Sequence, residues 1–129
     1  MNVIELENVV KKYENHIAVN GVSFSIPKGK VFGLLGPNGA GKTSIIRIIT
    51  AITRSDTGVV RFNGEVLNQS HPDQIGYMPE ERGLYKKMKV GEQIMYLARL
   101  KGLTKEKATE RLNYWMDRFD ISSWKNKKI

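Results

Sequence analysis

Residues 31–44 read VFGLLGPNGAGKTS. An apolar run, a glycine-rich turn ending in Lys-Thr-Ser and then the run IIRIITAIT constrain this chain more than any other stretch. Residues 31–35 suit a strand buried on both faces. The run after the turn suits a helix buried on most sides, starting near Gly41 and ending near Thr53. Gly36, Pro37, Asn38, Gly39, Ala40, Gly41, Lys42 and Thr43 satisfy G-x-x-x-x-G-K-[ST]. Glycine lets successive backbone N–H groups turn inward, into a nest for anionic oxygens. The helix that follows adds its positive dipole end and free N–H donors. Lys42 offers a point charge to terminal phosphates, and Thr43 offers a hydroxyl to Mg2+. The sequence therefore points to phosphate binding in an α/β protein.

The strands expected before this turn are residues 3–10 and 17–26, the second with clear alternation at Val22, Phe24 and Ile26. After it, Val59, Val60 and Phe62 read as a strand closed by the hairpin dipeptide Asn63-Gly64. Ile75 to Met78 reads as another short strand, stopped by Pro79. From about residue 88 the pattern is helical. Val90, Ile94, Leu97 and Ala98 share one face, and Gly102 takes the C′ position. Thr104 is a plausible cap for a second helix with Ala108, Leu112, Trp115, Met116 and Phe119 on one face, and Ser122 or Ser123 for a third. The expected domains are residues 1–85, a nucleotide-binding core with a β subdomain, and residues 86–129, the start of a helical subdomain.

Charge divides the same way. The net charge is +8. Residues 1–85 carry nine Lys/Arg and eight Asp/Glu, whereas residues 86–129 carry twelve and five. The basic excess thus lies in the last third. It reads as a solvated helical surface or as a face toward acidic lipid or an acidic partner. The aromatic-basic alternation of single-strand nucleic-acid binders is missing, and no nucleic acid is expected. Without cysteine, disulfides and thiolate metal sites are excluded. No apolar run approaches the roughly 20 residues of a membrane-spanning helix, and the N-terminus lacks the pattern of a signal peptide.

The flanks carry a family resemblance. LLGPNGAGKTSIIRIITAI resembles the Walker A region of ATP-binding-cassette (ABC) ATPases. VVKKYENHIAVNGVSFSIPKGKVFGLLG resembles the start of those domains, and SDTGVVRFNGEVL their next strand pair. IGYMPEERGLYKKMKVGEQIMYLARLKGL resembles their Q-loop and following helix, with Glu-Glu-Arg-Gly-Leu-Tyr most like bacterial drug, antibiotic or sodium exporters. The resemblance implies an incomplete P-loop NTPase core with an N-terminal antiparallel β subdomain and the start of an α-helical one. It implies ATP and Mg2+ as ligands. Tyr13 matches the aromatic that stacks on adenine. Gly36, Asn38, Gly39, Ala40, Gly41, Lys42, Thr43 and Ser44 match the phosphate loop, and Thr43 the magnesium ligand. The partners implied are a transmembrane permease subunit, contacted near residues 80–90, and a second ATP-binding subunit. The location implied is cytoplasmic, at the inner face of the membrane.

Two departures stand out. Glu80 falls where the family usually carries a glutamine that touches Mg2+ and the attacking water. A carboxylate keeps an oxygen for the metal, loses the amide donor and adds negative charge. Lys89 stands where relatives often carry a Ser or Thr helix cap, so only Glu92 remains of the capping box. The family's signature loop, its Walker B strand ending in Asp-Glu and its later histidine have no match in this sequence. His16 reads as an exposed strand or turn residue and His71 as a loop residue. The chain is therefore expected to be a fragment that binds ATP without hydrolysing it, with no catalytic residue of its own. The alternatives are a non-hydrolysing nucleotide-sensing subunit and a soluble ABC-type ATPase. A small kinase would need a lid around Arg82 or Arg99, and no motif surrounds either.

Overall fold

The computed structural model describes residues 1–37, 39–79 and 83–129. They form two units, Met1–Tyr77 and Met78–Ile129; the sequence set its change of character at 85/86.

The first unit is built on an antiparallel sheet of β1 (Asn2–Tyr13), β2 (His16–Pro27), β3 (Thr57–Phe62) and β4 (Glu65–Val66), in the order β2-β1-β3-β4. Ile4 and Leu6 alternate onto the core face, a parity that would turn Val9 outward. Asn8 resets it. Its φ is 49°, the β1–β2 register shifts between Leu6 and Val9, and Ser23 Oγ accepts its N–H at 2.8 Å. A bulge of this kind changes which face the following residues occupy, and asparagine tolerates the left-handed region. Val9 is consequently fully buried. The expected hairpin at Asn63-Gly64 forms, with φ of 50° and 84°, the two positive values of a type I′ turn.

Helix α1 (Lys42–Ile49) adds Ile45 and Ile48 to the core of Ile4, Leu6, Val9, Val19, Val60 and Phe62. It is shorter than the expected 41–53, because Ala51 turns the chain at φ 59°. It also buries one face rather than most sides: Ile46 is exposed, and so is Ile52 beyond its end. His71 is buried as a structural residue. Its Nδ1 accepts the Asn68 N–H at 3.1 Å, and its Nε2 lies 3.3 Å from the Glu65 carboxylate. Its ring sits 5.1 Å from that of Phe62.

Two expected strands are absent. Residues 31–35 form no ladder, with Val31 and Leu35 exposed. Their apolar run is right for a buried strand, but a strand also needs a neighbouring ladder, and none lies beside it among the described residues. Phe32 instead stacks on Phe24 at 5.1 Å and 13°. Residues 75–78 likewise form no ladder, and Met78 is exposed.

The second unit contains α2 (Val90–Leu100) and α3 (Lys105–Arg118). Thr104 caps α3, accepting the Lys107 N–H at 3.2 Å. Ala108, Leu112 and Met116 are buried at helical spacing. Trp115 and Phe119, expected on that face, remain exposed and stack on each other at 5.5 Å. The last residues return to the start of α2: Val90 N–H donates to Lys127 O at 2.8 Å, Gly91 N–H to Lys125 O at 2.9 Å and Ile129 N–H to Met88 O at 3.2 Å. This contact explains Gly91, where a Cβ would stand 2.8 Å from Lys125 Cγ. Glu92 Oε2 accepts the Lys89 N–H at 3.0 Å. Lys89 has only donors to offer in return, so the capping box is half made. Gln93 Oε1 accepts the Tyr85 N–H at 2.9 Å, and its buried Nε2 has no partner among the described residues. No helix among the described residues is long and apolar enough to cross a membrane. The α/β class, with an antiparallel sheet in the first unit and helices α2 and α3 in the second, matches the sequence reading.

Candidate phosphate-binding site

The loop from Gly36 to Gly41 leads from the exposed apolar segment into α1. Its ends are tied together: Ala40 N–H donates to Pro37 O at 3.1 Å, and Lys42 Nζ donates to Gly36 O. Gly41 is the N-cap of α1 at φ 93° and ψ 6°. A Cβ there would stand 2.1 Å from the Ala18 carbonyl oxygen in β2. Glycine is therefore required twice, for the left-handed backbone and for the close approach that seats the loop on the sheet. No side chain caps the first turn of α1, and no acidic residue lies in it. Its N–H donors and positive dipole end stay available to an anion.

A cleft of about 280 Å³ opens at this helix end. Gly39, Gly41, Lys42, Thr43 and Ser44 form one wall, and Tyr13, His16 and Ala18 the other. Tyr13 and His16 are register partners across the turn between β1 and β2. The Tyr13 ring is exposed, with Lys11 Nζ 5.5 Å from its centroid. The cleft so combines a flat ring at one wall with an ammonium, two hydroxyls and a helix N-terminus at the other. A larger concavity of about 430 Å³, between Ile48, Arg54, Val60 and Gln69, lies away from the loop and has no helix N-terminus.

Of the residues singled out from sequence, Tyr13, Gly39, Gly41, Lys42, Thr43 and Ser44 come together in this cleft. Gly36 and Ala40 take part in the loop's internal bonds. Asn38 and Glu80 lie outside the described residues, as does Arg82. Among the described residues no group of three or more His, Asp or Glu could hold a metal ion. His16 is the cleft residue that sequence reasoning left on the surface. The signal was its separation from Tyr13 by two residues, which sets the pair opposite each other in a hairpin.

The ABC transporter family profile matches residues 19–129. The chain is 43% identical over 127 residues to the uncharacterized ABC transporter ATP-binding protein YhaQ of Bacillus subtilis, covering 98% of this chain and 43% of that protein. It is 37% identical over 119 residues to the linearmycin resistance ATP-binding protein LnrL of the same organism, covering 87% of this chain and 38% of that one. It thus spans less than half the length of these relatives. A solved ATP-binding subunit of an ABC transporter superimposes with a TM-score of 0.83 at 24% identity, over 98% of this chain and 54% of that one. The glycine loop seated on β2, the matched profile and the shared fold agree, and the chain belongs to the ABC transporter family.

Proposed function

We propose that this chain is the ATP·Mg2+-binding portion of an ABC transporter ATPase that powers export across a membrane. The observation that carries the reading is the single cleft shared by Tyr13 and the phosphate loop. A purine face stacks on an aromatic ring without needing a base-edge code. On this reading Tyr13 holds adenine, and the N–H groups of Gly39, Ala40, Gly41 and the first turn of α1 hold the phosphates. Gly36 and Asn38 belong to the same phosphate-loop motif. Lys42 leaves the Gly36 carbonyl for the terminal phosphates, and Ser44 adds a hydroxyl. Thr43 ligates Mg2+, with Glu80 as a second oxygen. Among the described residues no carboxylate lines this cleft, so on this reading hydrolysis belongs to a longer protein with Walker B carboxylates and a signature loop from a second ATP-binding subunit. A permease subunit meets residues near 80–90, which holds the protein at the inner face of the membrane. The export direction rests on the Glu-Glu-Arg-Gly-Leu-Tyr wording and on likeness to the linearmycin resistance protein.

Calorimetry with ATP·Mg2+, beside a phosphate-release assay, tests this. Lys42→Ala should abolish binding. Tyr13→Ala should weaken it by about 1–3 kcal/mol, the range for a base on an aromatic ring, and Tyr13→Phe should leave it unchanged. Binding that survives Lys42→Ala would remove the loop from the site. Phosphate release that depends on Lys42 would refute the division between binding and hydrolysis.

A further inference from the structure

We propose, on the nucleotide reading above, that His16 hydrogen-bonds the sugar of the bound nucleotide and makes the cleft prefer a ribonucleotide to its 2′-deoxy counterpart. The two histidines of the chain are employed differently. Both ring nitrogens of His71 are engaged inside the fold, by Asn68 and Glu65. The His16 ring has no hydrogen bond or ion pair among the described residues. It is exposed, and it lines the cleft. The hairpin sets its position. Tyr13 and His16 are register partners. Facing residues of an antiparallel pair carry their side chains on one face, with Cβ atoms about 4.5–5.5 Å apart. The imidazole therefore stands beside the ring that takes the purine.

The order of groups along β2 points to the sugar. Ala18 follows His16 on the same face, about 6–7 Å farther along the strand. Gly41 is seated there, where a Cβ would stand 2.1 Å from the Ala18 carbonyl oxygen. A nucleotide with its purine on Tyr13 and its phosphates on residues 39–44 carries its sugar across the stretch between. Lys42, Thr43 and Ser44 at the far wall already have phosphate or Mg2+ to hold. His16 is the polar side chain left beside Tyr13. Its chemistry fits a hydroxyl. A neutral imidazole offers one donor and one acceptor nitrogen, and a hydroxyl is both acceptor and donor, so the bond forms with either tautomer. The 2′-hydroxyl is the sugar hydroxyl closest to the base, and it is the group by which a protein tells ribose from deoxyribose. Charge gives no such preference, because Lys11, Lys42 or a protonated His16 attracts the phosphates of both nucleotides alike.

The test is calorimetric binding of ATP·Mg2+ and of 2′-deoxyATP·Mg2+ to the 129-residue chain. The unaltered chain should bind ATP about 2- to 10-fold more tightly, the effect of one hydrogen bond in an open cleft. His16→Phe keeps a flat ring and removes both nitrogens, and its ratio should fall to about 1. His16→Gln returns a donor and an acceptor and should recover a preference for ATP. If His16→Phe lacks native circular dichroism, His16→Ala supplies the same comparison. Equal binding of the two nucleotides by the unaltered chain would overturn the proposal, and so would an unmoved ratio in His16→Phe. A fall in affinity by the same factor for both nucleotides would assign His16 to the base or the phosphates and would overturn it too. Lys42→Ala, run beside these, separates this failure from failure of the nucleotide reading. Binding lost in Lys42→Ala with an unmoved ratio in His16→Phe keeps the nucleotide site and removes His16 from the sugar. An unaltered chain that binds neither nucleotide removes both.

Discussion

Alanine at Gly41 and at Gly39 separates two demands that the phosphate loop makes on glycine. Both residues have positive φ, 93° and 84°, and an L side chain in the left-handed region costs about 1–2 kcal/mol. They differ in their surroundings. A Cβ at Gly39 meets nothing within 4 Å, whereas one at Gly41 stands 2.1 Å from Ala18 O and 3.1 Å from Ala18 C. The obstacle is backbone held in β2, so a flexible side chain cannot move aside. Overpacking of this kind adds about 1–3 kcal/mol. Gly39→Ala should therefore destabilise by about 1–2 kcal/mol and Gly41→Ala by about 2–5 kcal/mol, the two costs together. Urea unfolding followed by circular dichroism reads both, as a midpoint shift at constant slope. Equal losses in the two variants would refute the claim that the loop is seated on β2.

Two other substitutions test local electrostatics. Asp56 accepts the Lys12 N–H at 2.6 Å and lies 3.5 Å from Lys11 Nζ. The backbone hydrogen bond from Lys12 holds its carboxyl below the ordinary value of 3.8; desolvation opposes it, and the Lys11 charge, a lesser effect than either, adds to the lowering. The folded state thus favours the ionised form. The stability this contributes is complete above the ordinary value and is lost as pH falls through the depressed one. The difference in urea midpoint between the unaltered chain and Asp56→Asn should stay constant down to about pH 4 and shrink below it; a constant difference to lower pH would contradict this. Lys89→Asp should stabilise the chain by about 1 kcal/mol by giving α2 a cap acceptor, with a smaller gain from facing Lys128, its partner in an antiparallel bridge, with an opposite charge. An unchanged or lower midpoint would show that the start of α2 needs no cap.

The residues of the loop were legible because a phosphate nest demands glycine, lysine and a hydroxyl in fixed order. The Asn63-Gly64 hairpin and the Thr104 cap were legible for the same reason: a backbone conformation or an orphan donor selects the residue. Pairing was not. The run at residues 31–35 has the composition of a central strand, yet strand formation depends on a neighbour that local sequence does not reveal. Val9 was assigned to the first strand, but the bulge at Asn8 that turns it inward leaves no mark in an apolar pattern. Nothing in the pattern around Gly91 reveals its constraint, which is Lys125, far away in sequence. His16 joined the cleft through the turn that sets it across from Tyr13.

Sequence distance also orders how the cleft comes into being. Its stacking wall, Tyr13 and His16, flanks a two-residue turn in a hairpin of adjacent strands, a structure that closes in about 1–10 μs. Its phosphate wall lies on residues 39–44, within the stretch from β2 to β3. β3 must return to the far side of β1, at Ile4 and Leu6, and so must close a loop over residues 28–56 against chain entropy. The ring's seat is therefore built locally and early. The anion's seat needs residues 39–44 to fold back onto Ala18 of β2, a contact of longer range than the hairpin turn, and only then does the cleft have two sides.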